Sequence, residues 1–107
     1  MIREQGRVSF VDAAAVEWVE ALGNYVRLHL RGGAAGASPL LRATLDDVEA
    51  RLGADFVRVR RSALVRAAAV RHCEPWGKGS WVLVLRDGTR VTSSRHYRAR
   101  LDALFGD

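Results

Sequence analysis

Cysteine, proline and lysine are scarce in this sequence. Among 107 residues there is one cysteine, Cys73, one lysine, Lys78, and two prolines. A single cysteine excludes an internal disulfide framework and predicts a reducing, cytoplasmic location. The three histidines lie far apart in the sequence and offer no metal-ligand spacing, so we expect neither a metal nor another cofactor.

Long apolar runs are also missing. No stretch approaches the roughly 18–20 continuous apolar residues that a membrane span needs, and the first five residues lack the apolar core of a secretory signal. We therefore expect no membrane partner. With 49% apolar and 27% charged residues, the composition is that of an ordinary globular chain, and the length predicts one domain over 1–107 with its core from about 8 to 105.

Residues for catalysis are missing as well. Cys73 follows His72, and adjacent residues of a strand point to opposite faces, so a nucleophilic pair is not expected. The run Gly77-Lys78-Gly79-Ser80 lacks the spacing and the following helix of a phosphate-binding loop and predicts a hairpin turn. The acidic pair Asp46-Asp47 is explained by helix capping. The sequence therefore predicts neither an enzyme nor a small-molecule substrate.

Arginine, in contrast, is abundant. The formal net charge is +5, and 16 of the 17 basic residues are Arg. Residues 56–72 contain five Arg and no acid, residues 86–100 contain five more against Asp87, and residues 44–55 are predominantly acidic. A one-sided basic surface attracts a polyanion, because phosphate neutralisation releases condensed counterions. A solvated Arg-rich face, or a codon bias towards Arg, is the alternative that composition leaves open.

Short strands dominate the predicted secondary structure. Strand patterns on both sides of Gly23-Asn24 predict a hairpin over 16–30, and two further hairpins are predicted around 77–80 and around Asp87-Gly88. We expect His29 to be solvated. We expect a core or sheet-face position for the three tryptophans, which are Trp18, Trp76 and Trp81.

Two helices complete the expected fold. Thr44 and Asp47 form a capping-box pattern that starts a helix ending at Gly53, and its acidic side is expected to point away from any nucleic acid. Ser93-Ser94 can cap a last helix. Its apolar stripe would consist of Tyr97, Leu101, Leu104 and Phe105.

Two dipeptides, Arg61-Ser62 and Ser94-Arg95, are candidate DNA contacts. A guanidinium fork can bind a phosphate or read guanine O6 and N7, and a neighbouring hydroxyl can hold a phosphate oxygen. The structural alternatives are a surface salt bridge for each Arg and a helix cap for Ser94. Residue types alone do not decide between these readings.

The order of the motifs resembles the LytTR family of DNA-binding domains. The resemblance rests on W-V-E-A-L-G-N-Y-V at 18–26, on F-x-R-x-x-R-S at 56–62, and on D-G followed by S-R-x-Y up to residue 97. It implies an elongated, mostly antiparallel β fold (α+β) with a short mid-chain helix, a C-terminal helix and no helix-turn-helix. It also implies sequence-specific binding of double-stranded DNA by a bacterial transcriptional regulator of two-component type. Loops would enter major grooves at promoter direct repeats, with a possible homodimer on DNA.

By position, the resemblance implies three contact regions: Asn24 and Tyr25 at the first hairpin turn, Arg60-Arg61-Ser62, and Ser94-Arg95 at the entry to the last helix. Lys78, at the tip of another hairpin, adds a possible phosphate contact. The family usually has His at the position of Arg60 and Asn at that of Arg66. Arg60 therefore adds positive charge beside the expected contact, and Arg66 removes an amide that could cap or bridge backbone groups. No receiver pattern precedes the match, and we expect either an excised output domain or a free-standing one.

Two other functions remain open from the sequence. A protein-interaction or dimerisation module with a basic face would use exposed strand edges and an acidic partner. An RNA or single-strand binder would stack unpaired bases on an exposed tryptophan.

Overall fold

Ten short strands and two helices make up the fold of the computed structural model, which describes residues 2–4, 7–9, 12–32 and 38–104. The strands are β1 (Ile2–Glu4), β2 (Arg7–Ser9), β3 (Val16–Leu22), β4 (Tyr25–Leu30), β5 (Leu40–Arg42), β6 (Phe56–Arg60), β7 (Ala63–Arg66), β8 (Val70–Trp76), β9 (Ser80–Leu85) and β10 (Arg90–Thr92). The helices are α1 (Leu45–Leu52) and α2 (Arg98–Leu104). Phe105, part of the predicted apolar stripe, lies outside the described residues.

The strands form three antiparallel sheets. Five strands pair in the order β5-β4-β3-β7-β6, three pair in the order β10-β9-β8, and β1 pairs with β2. The β3–β4 hairpin closes with Leu22 opposite Tyr25, and β3 also pairs with β7, where Glu20 lies opposite Ala63. The prediction of a mostly antiparallel β fold with two short helices is confirmed.

Strands β3 and β7, which pair in the interior of the large sheet, are buried on both faces. Val19 and Leu64 face α1, where they pack with Leu45 and Val48. Their neighbours Trp18 and Val65 face the opposite way. There they meet the small sheet and α2 in a second cluster, whose other buried members are Val59, Ala63, Leu83, Leu85, Val91 and Leu101. The large sheet is therefore the middle of three layers.

Helix α1 begins and ends where its sequence predicts. The Thr44 hydroxyl accepts a hydrogen bond from the Asp47 N–H at 3.1 Å, and Gly53 ends the helix at a φ of +78°. That left-handed conformation favours glycine because it has no Cβ. With Leu45 and Val48 buried, the helix covers one face of the large sheet.

The predicted hairpins are present, with one difference in detail. At Asp87-Gly88 the loop has three residues: the Leu85 carbonyl accepts from Gly88 N–H at 2.9 Å, and Leu85 N–H donates to the Thr89 carbonyl at 2.8 Å. The Asp87 carboxylate also accepts from Thr89 N–H at 2.9 Å. This side-chain bond favours the longer loop over a two-residue turn.

One prediction about a ring side chain was wrong. His29 is not freely solvated: its ring stacks on Trp18 with centroids 4.1 Å apart and lies 2.9 Å from the Glu20 carboxylate. The error arises because strand alternation predicts a face but not what lies across the sheet. Of the tryptophans, which were predicted at core or sheet-face positions, Trp18 is buried, and Trp76 is 59% exposed at the end of strand β8.

We expect Leu64→Ala to lower the free energy of unfolding by roughly 2–5 kcal/mol, because it leaves a cavity between the large sheet and α1. Leu22→Ala serves as the matched control: Leu22 is 42% exposed and should change stability by less than about 0.5 kcal/mol. Urea unfolding followed by circular dichroism measures both. Similar losses in the two variants would contradict the placement of Leu64.

Acid should weaken the β9–β10 hairpin through Asp87. The hydrogen bond from Thr89 N–H holds the pKa of Asp87 below its usual range. A carboxylate of this kind stabilises the fold above its ordinary pKa of about 4, and the contribution is lost as pH falls through the lower folded value. Asp87→Ala should therefore reduce the free energy of unfolding at pH 7 by an amount that shrinks towards pH 2. Asp87→Asn retains the acceptor without titrating and is the control; a pH-independent cost of Asp87→Ala would refute this role.

Candidate nucleic-acid interface

The β3–β4 turn lies beside the β6–β7 turn. Ala21 N–H donates to the Ser62 carbonyl at 2.9 Å, which fixes the end of β3 against the β6–β7 connection. The turn at Gly23 and Asn24 follows directly, with Gly23 at a φ of +61°. Asn24 and Tyr25 are both exposed there. The first two predicted contact regions are therefore neighbours.

The β6–β7 turn separates two kinds of arginine. Arg60 donates from Nε to the Ser62 hydroxyl at 3.0 Å and from Nη1 to the Thr92 carbonyl at 3.1 Å, so its guanidinium is held within the fold. Arg61 is exposed, and its side chain makes no hydrogen bond or ion pair with any described residue. Arg61 is thus the cation that this turn exposes to solvent.

The start of the C-terminal helical region lies against the same turn. Ser94 N–H donates to the Val59 carbonyl at 2.8 Å, next to Arg60. The Ser94 hydroxyl accepts from His96 N–H at 3.3 Å and caps a 3₁₀ turn, Arg95–Tyr97, that leads into α2. The side chain of Arg95 is exposed. Ser94 therefore acts as a cap, which is the structural alternative that the sequence left open. Arg95 lies at the surface.

The tip of the β8–β9 hairpin packs on Arg95. A Cβ added at Gly79 would lie 3.2 Å from both Cγ and Cδ of Arg95, and 3.4 Å from Nη1 of Arg98. Lys78, one residue earlier, is exposed. A glycine at position 79 therefore lets the hairpin approach the arginine stem closely, and it brings the ammonium-bearing residue to the same region.

These contacts join all eight predicted site residues into one strip, which we call the turn edge. It comprises the β3–β4 turn, the β6–β7 turn, the 3₁₀ turn after Ser94 and the β8–β9 tip. Sequence reasoning missed Arg98, which reaches the tip at Gly79 and is exposed. The signal was its position three residues after Arg95, since residues so spaced share a face of a helical turn.

The arginines divide into internal and external groups. Of the ten Arg in residues 56–72 and 86–100, six bind groups within the described part of the chain: Arg58, Arg60, Arg66, Arg86, Arg90 and Arg100. The other four have no side-chain hydrogen bond or ion pair to described residues; they are Arg61, Arg71, Arg95 and Arg98. Three of these four lie on the turn edge. Its positive field thus comes from few side chains and not from the whole Arg-rich sequence.

Within residues 12–32 and 38–104, Arg58 is the most deeply buried cation, at 6% exposure. Its Nη1 lies 2.7 Å from Asp46 Oδ1 and 3.1 Å from Glu49 Oε1. Burial lowers the pKa of Arg58, but the bonds to Asp46 and Glu49 outweigh it and leave the pKa above its usual value. Two acids of α1 are therefore directed at a buried guanidinium, where the sequence predicted an acidic side turned simply away from the interface.

Arg66 stands at the position where the resemblance implies an asparagine, and its side chain binds two backbone carbonyls. Its Nε donates to the Val16 carbonyl at 2.8 Å and its Nη2 to the Ala13 carbonyl at 2.6 Å. The guanidinium also lies over the Phe56 ring, 4.6 Å from the centroid. The Arg66 side chain therefore holds the end of β7 to the start of β3 and the turn before it.

Other chemistry has little support in the described residues. His72 lies 3.1 Å from Glu74, and Cys73 packs towards the second core cluster, where burial raises the pKa of its thiol. Across the described ranges, His, Cys, Asp and Glu form no group of three or more that could hold a metal ion. In those same ranges no helix has the length and apolar character needed to cross a membrane.

Comparison with known proteins points to one family. A family model described as the LytTr DNA-binding domain matches residues 6–106. The sensory transduction protein LytT of Bacillus subtilis (strain 168) is 34% identical over 62 residues, which are 57% of this chain and 26% of that protein. The matched part of the chain thus spans about a quarter of the length of this curated relative. A solved LytTr DNA-binding domain from Bacillus cereus superimposes with a TM-score of 0.79 at 22% identity, over 91% of this chain and 86% of that one, and shows the shared fold.

Gly79→Ala and Gly77→Ala form a matched pair that tests the packing of the hairpin tip. Both glycines have positive φ, so both substitutions should cost roughly 1 kcal/mol of stability. Only Gly79→Ala brings a methyl group against Arg95, since no heavy atom lies within 4 Å of a Cβ at Gly77. In NMR spectra, we expect the Arg95 Nε–H resonance to shift clearly more from its wild-type position in Gly79→Ala than in Gly77→Ala. Equal shifts in the two variants would show that the tip does not contact Arg95.

Proposed function

The chain belongs to the LytTR family of DNA-binding domains, and from this we propose that it binds double-stranded DNA sequence-specifically through the turn edge. The observation that carries the proposal is the convergence of four separate segments on one strip. These segments present Arg61, Arg95, Arg98 and Lys78 without internal ion pairs among the described residues. Exposed cations that the fold does not use are available to phosphates and base edges.

Roles within the strip follow from the contacts of each side chain. Arg61 and Arg95 have free guanidinium forks, which suit bidentate reading of guanine O6 and N7 in a major groove. Lys78 suits a phosphate, as a point charge on a flexible stem. Asn24 and Tyr25, exposed on the β3–β4 turn, supply polar contacts at the other end of the strip.

Arg60, Ser62 and Ser94 combine contact with support. Arg60 binds Ser62 and the Thr92 carbonyl, so it adds charge beside the DNA while it holds two segments together. Ser94 caps the 3₁₀ turn that carries Arg95. We assign these three residues to the edge of the DNA contact, where a phosphate oxygen can share their hydroxyl and guanidinium groups.

The binding mode we propose is insertion of the turns into successive major grooves. The longest dimension of the chain is 45 Å, against about 34 Å for one turn of B-DNA. A domain of this length can contact two grooves on one face of the duplex. Two copies on adjacent direct repeats would then form a dimer on DNA.

The larger protein that we propose is a cytoplasmic response regulator of two-component type, in which residues 1–107 form the DNA-binding output domain. Support comes from the relative in Bacillus subtilis, which is named a sensory transduction protein and is about twice as long as this chain. The regulated step would be transcription, and the domain itself would carry out no catalysis.

Selection of duplexes from a random pool, followed by fluorescence anisotropy on the selected sequence, tests the proposal. Arg95→Ala and Arg61→Ala should each weaken specific binding by about 1–3 kcal/mol and relax preference at one base position. Affinity should fall steeply with salt. Arg51→Ala, which removes one exposed charge from the last turn of α1, is the matched control and should retain the base preference.

Other results would redirect the assignment. No gel retardation at low salt by the folded protein would favour the protein-interaction module. Preference for unpaired DNA or RNA, lost in Trp76→Ala, would favour stacking on the exposed indole, which is 59% accessible.

A further inference from the structure

We propose that Arg58 is a positioning residue for DNA reading: it fixes the backbone of the β6–β7 turn so that Arg61 is presented in one orientation. The proposal rests on the function proposed above and extends it to a residue that is itself buried. At 6% exposure, Arg58 has almost no surface with which to touch a ligand.

The contacts of Arg58 form a fork around the turn. Nε donates to the Arg60 carbonyl at 3.0 Å, and Nη2 donates to the Arg61 carbonyl at 2.5 Å. Two successive peptide groups are thereby held by one rigid, planar group. Because the carbonyl of Arg61 belongs to the peptide plane that follows its Cα, fixing both planes restricts ψ of Arg60 and both φ and ψ of Arg61.

The other side of the guanidinium is anchored on the helices. Nη1 binds Asp46 and Glu49, which lie three residues apart on α1. Glu49 is shared with Arg100 of α2 at 2.9 Å. The ring of Tyr97 lies near both cations, 5.8 Å from Cζ of Arg58 and 5.3 Å from Cζ of Arg100. Through Arg58, the β6–β7 turn is therefore anchored to α1 and α2 as well as to its own strands.

The alternative is that Arg58 stabilises the fold and nothing more. Electrostatics alone does not require the fork, since a lysine at this position could satisfy Asp46 and Glu49 with its charge. A lysine ammonium cannot match the fixed guanidinium geometry that spans both carbonyls and both carboxylates. Charge alone therefore does not account for the guanidinium fork. Stabilisation of the fold and positioning of the β6–β7 turn can be separated experimentally.

Arg58→Lys in the full chain tests the proposal. The measured quantity is the ratio of affinities for the selected duplex and for a scrambled duplex of equal length. We expect this ratio to fall roughly tenfold or more, as is typical when hydrogen bonds to a charged group are lost. The slope of affinity against salt should stay unchanged, because Arg58 contacts no phosphate.

Arg66→Lys is the matched control. Arg66 also donates to two backbone carbonyls, but from the end of β7 away from the turn edge. It should lower stability while changing the affinity ratio less than about twofold, within the usual scatter for independent sites. An equal loss of the ratio in both variants would attribute the effect of Arg58 to general destabilisation and overturn the proposal.

A double-mutant cycle with Arg61→Ala identifies the path of the effect. If Arg58 acts through Arg61, Arg58→Lys should have no further effect on the ratio in the Arg61→Ala background. Additive losses would overturn the proposal. Failure of the wild-type chain to prefer any selected duplex would instead refute the proposed function, so the two failures are distinguishable.

Asp46→Ala provides a second variant if Arg58→Lys does not fold. The Asp46 side chain is 85% exposed, and Glu49 still binds Nη1 of Arg58 when Asp46 is removed, so the substitution leaves no buried group unpaired, yet it removes one anchor of the Arg58 fork. The affinity ratio should fall in the same direction, and the fall should again vanish in the Arg61→Ala background. A wild-type ratio in folded Asp46→Ala, despite loss of the anchor, would count against positioning by Arg58.

Discussion

The antiparallel pairing of β3 with β7 is the constraint on which the rest of the structure depends. These strands lie at the centre of the large sheet, and their side chains alternate between two apolar clusters. One cluster binds α1, and the other binds the small sheet with α2. The same pairing sets the β3–β4 turn beside the β6–β7 turn, because Ala21 and Ser62 are hydrogen-bonded just beyond the last strand pair. Core packing and placement of the interface are therefore consequences of one register.

Local features of the fold could be predicted from the sequence, since their causes are local. The cap at Thr44, the stop at Gly53 and the three hairpins are each encoded in a few adjacent residues. The stacking of His29 on Trp18 could not be predicted in this way, because it depends on which residues of β3 and β4 face each other. The exposure of Trp76 likewise depends on how the small sheet meets its neighbours.

The candidate site shows the same division. Its residues could be named from ordered motifs, but nothing in the sequence indicated that the four segments meet. The Arg-rich runs were also only half informative, because a run does not distinguish a paired guanidinium from a free one. Arg58 was identifiable in principle: it shares the face of Phe56 on β6, and a charge on a buried face needs a partner such as Asp46 or Glu49.

Separation of the core from the turn edge has an evolutionary consequence. Arg61 and Arg95 belong to neither apolar cluster, so other side chains at these positions leave the packing of both clusters in place. If Arg61 and Arg95 read bases as proposed, the recognised base sequence can diverge between descendants of one ancestral domain while the scaffold stays constant. Neutral drift would be confined to the presenting turns, and paralogues within one cell could acquire separate target sites without passing through unfolded intermediates.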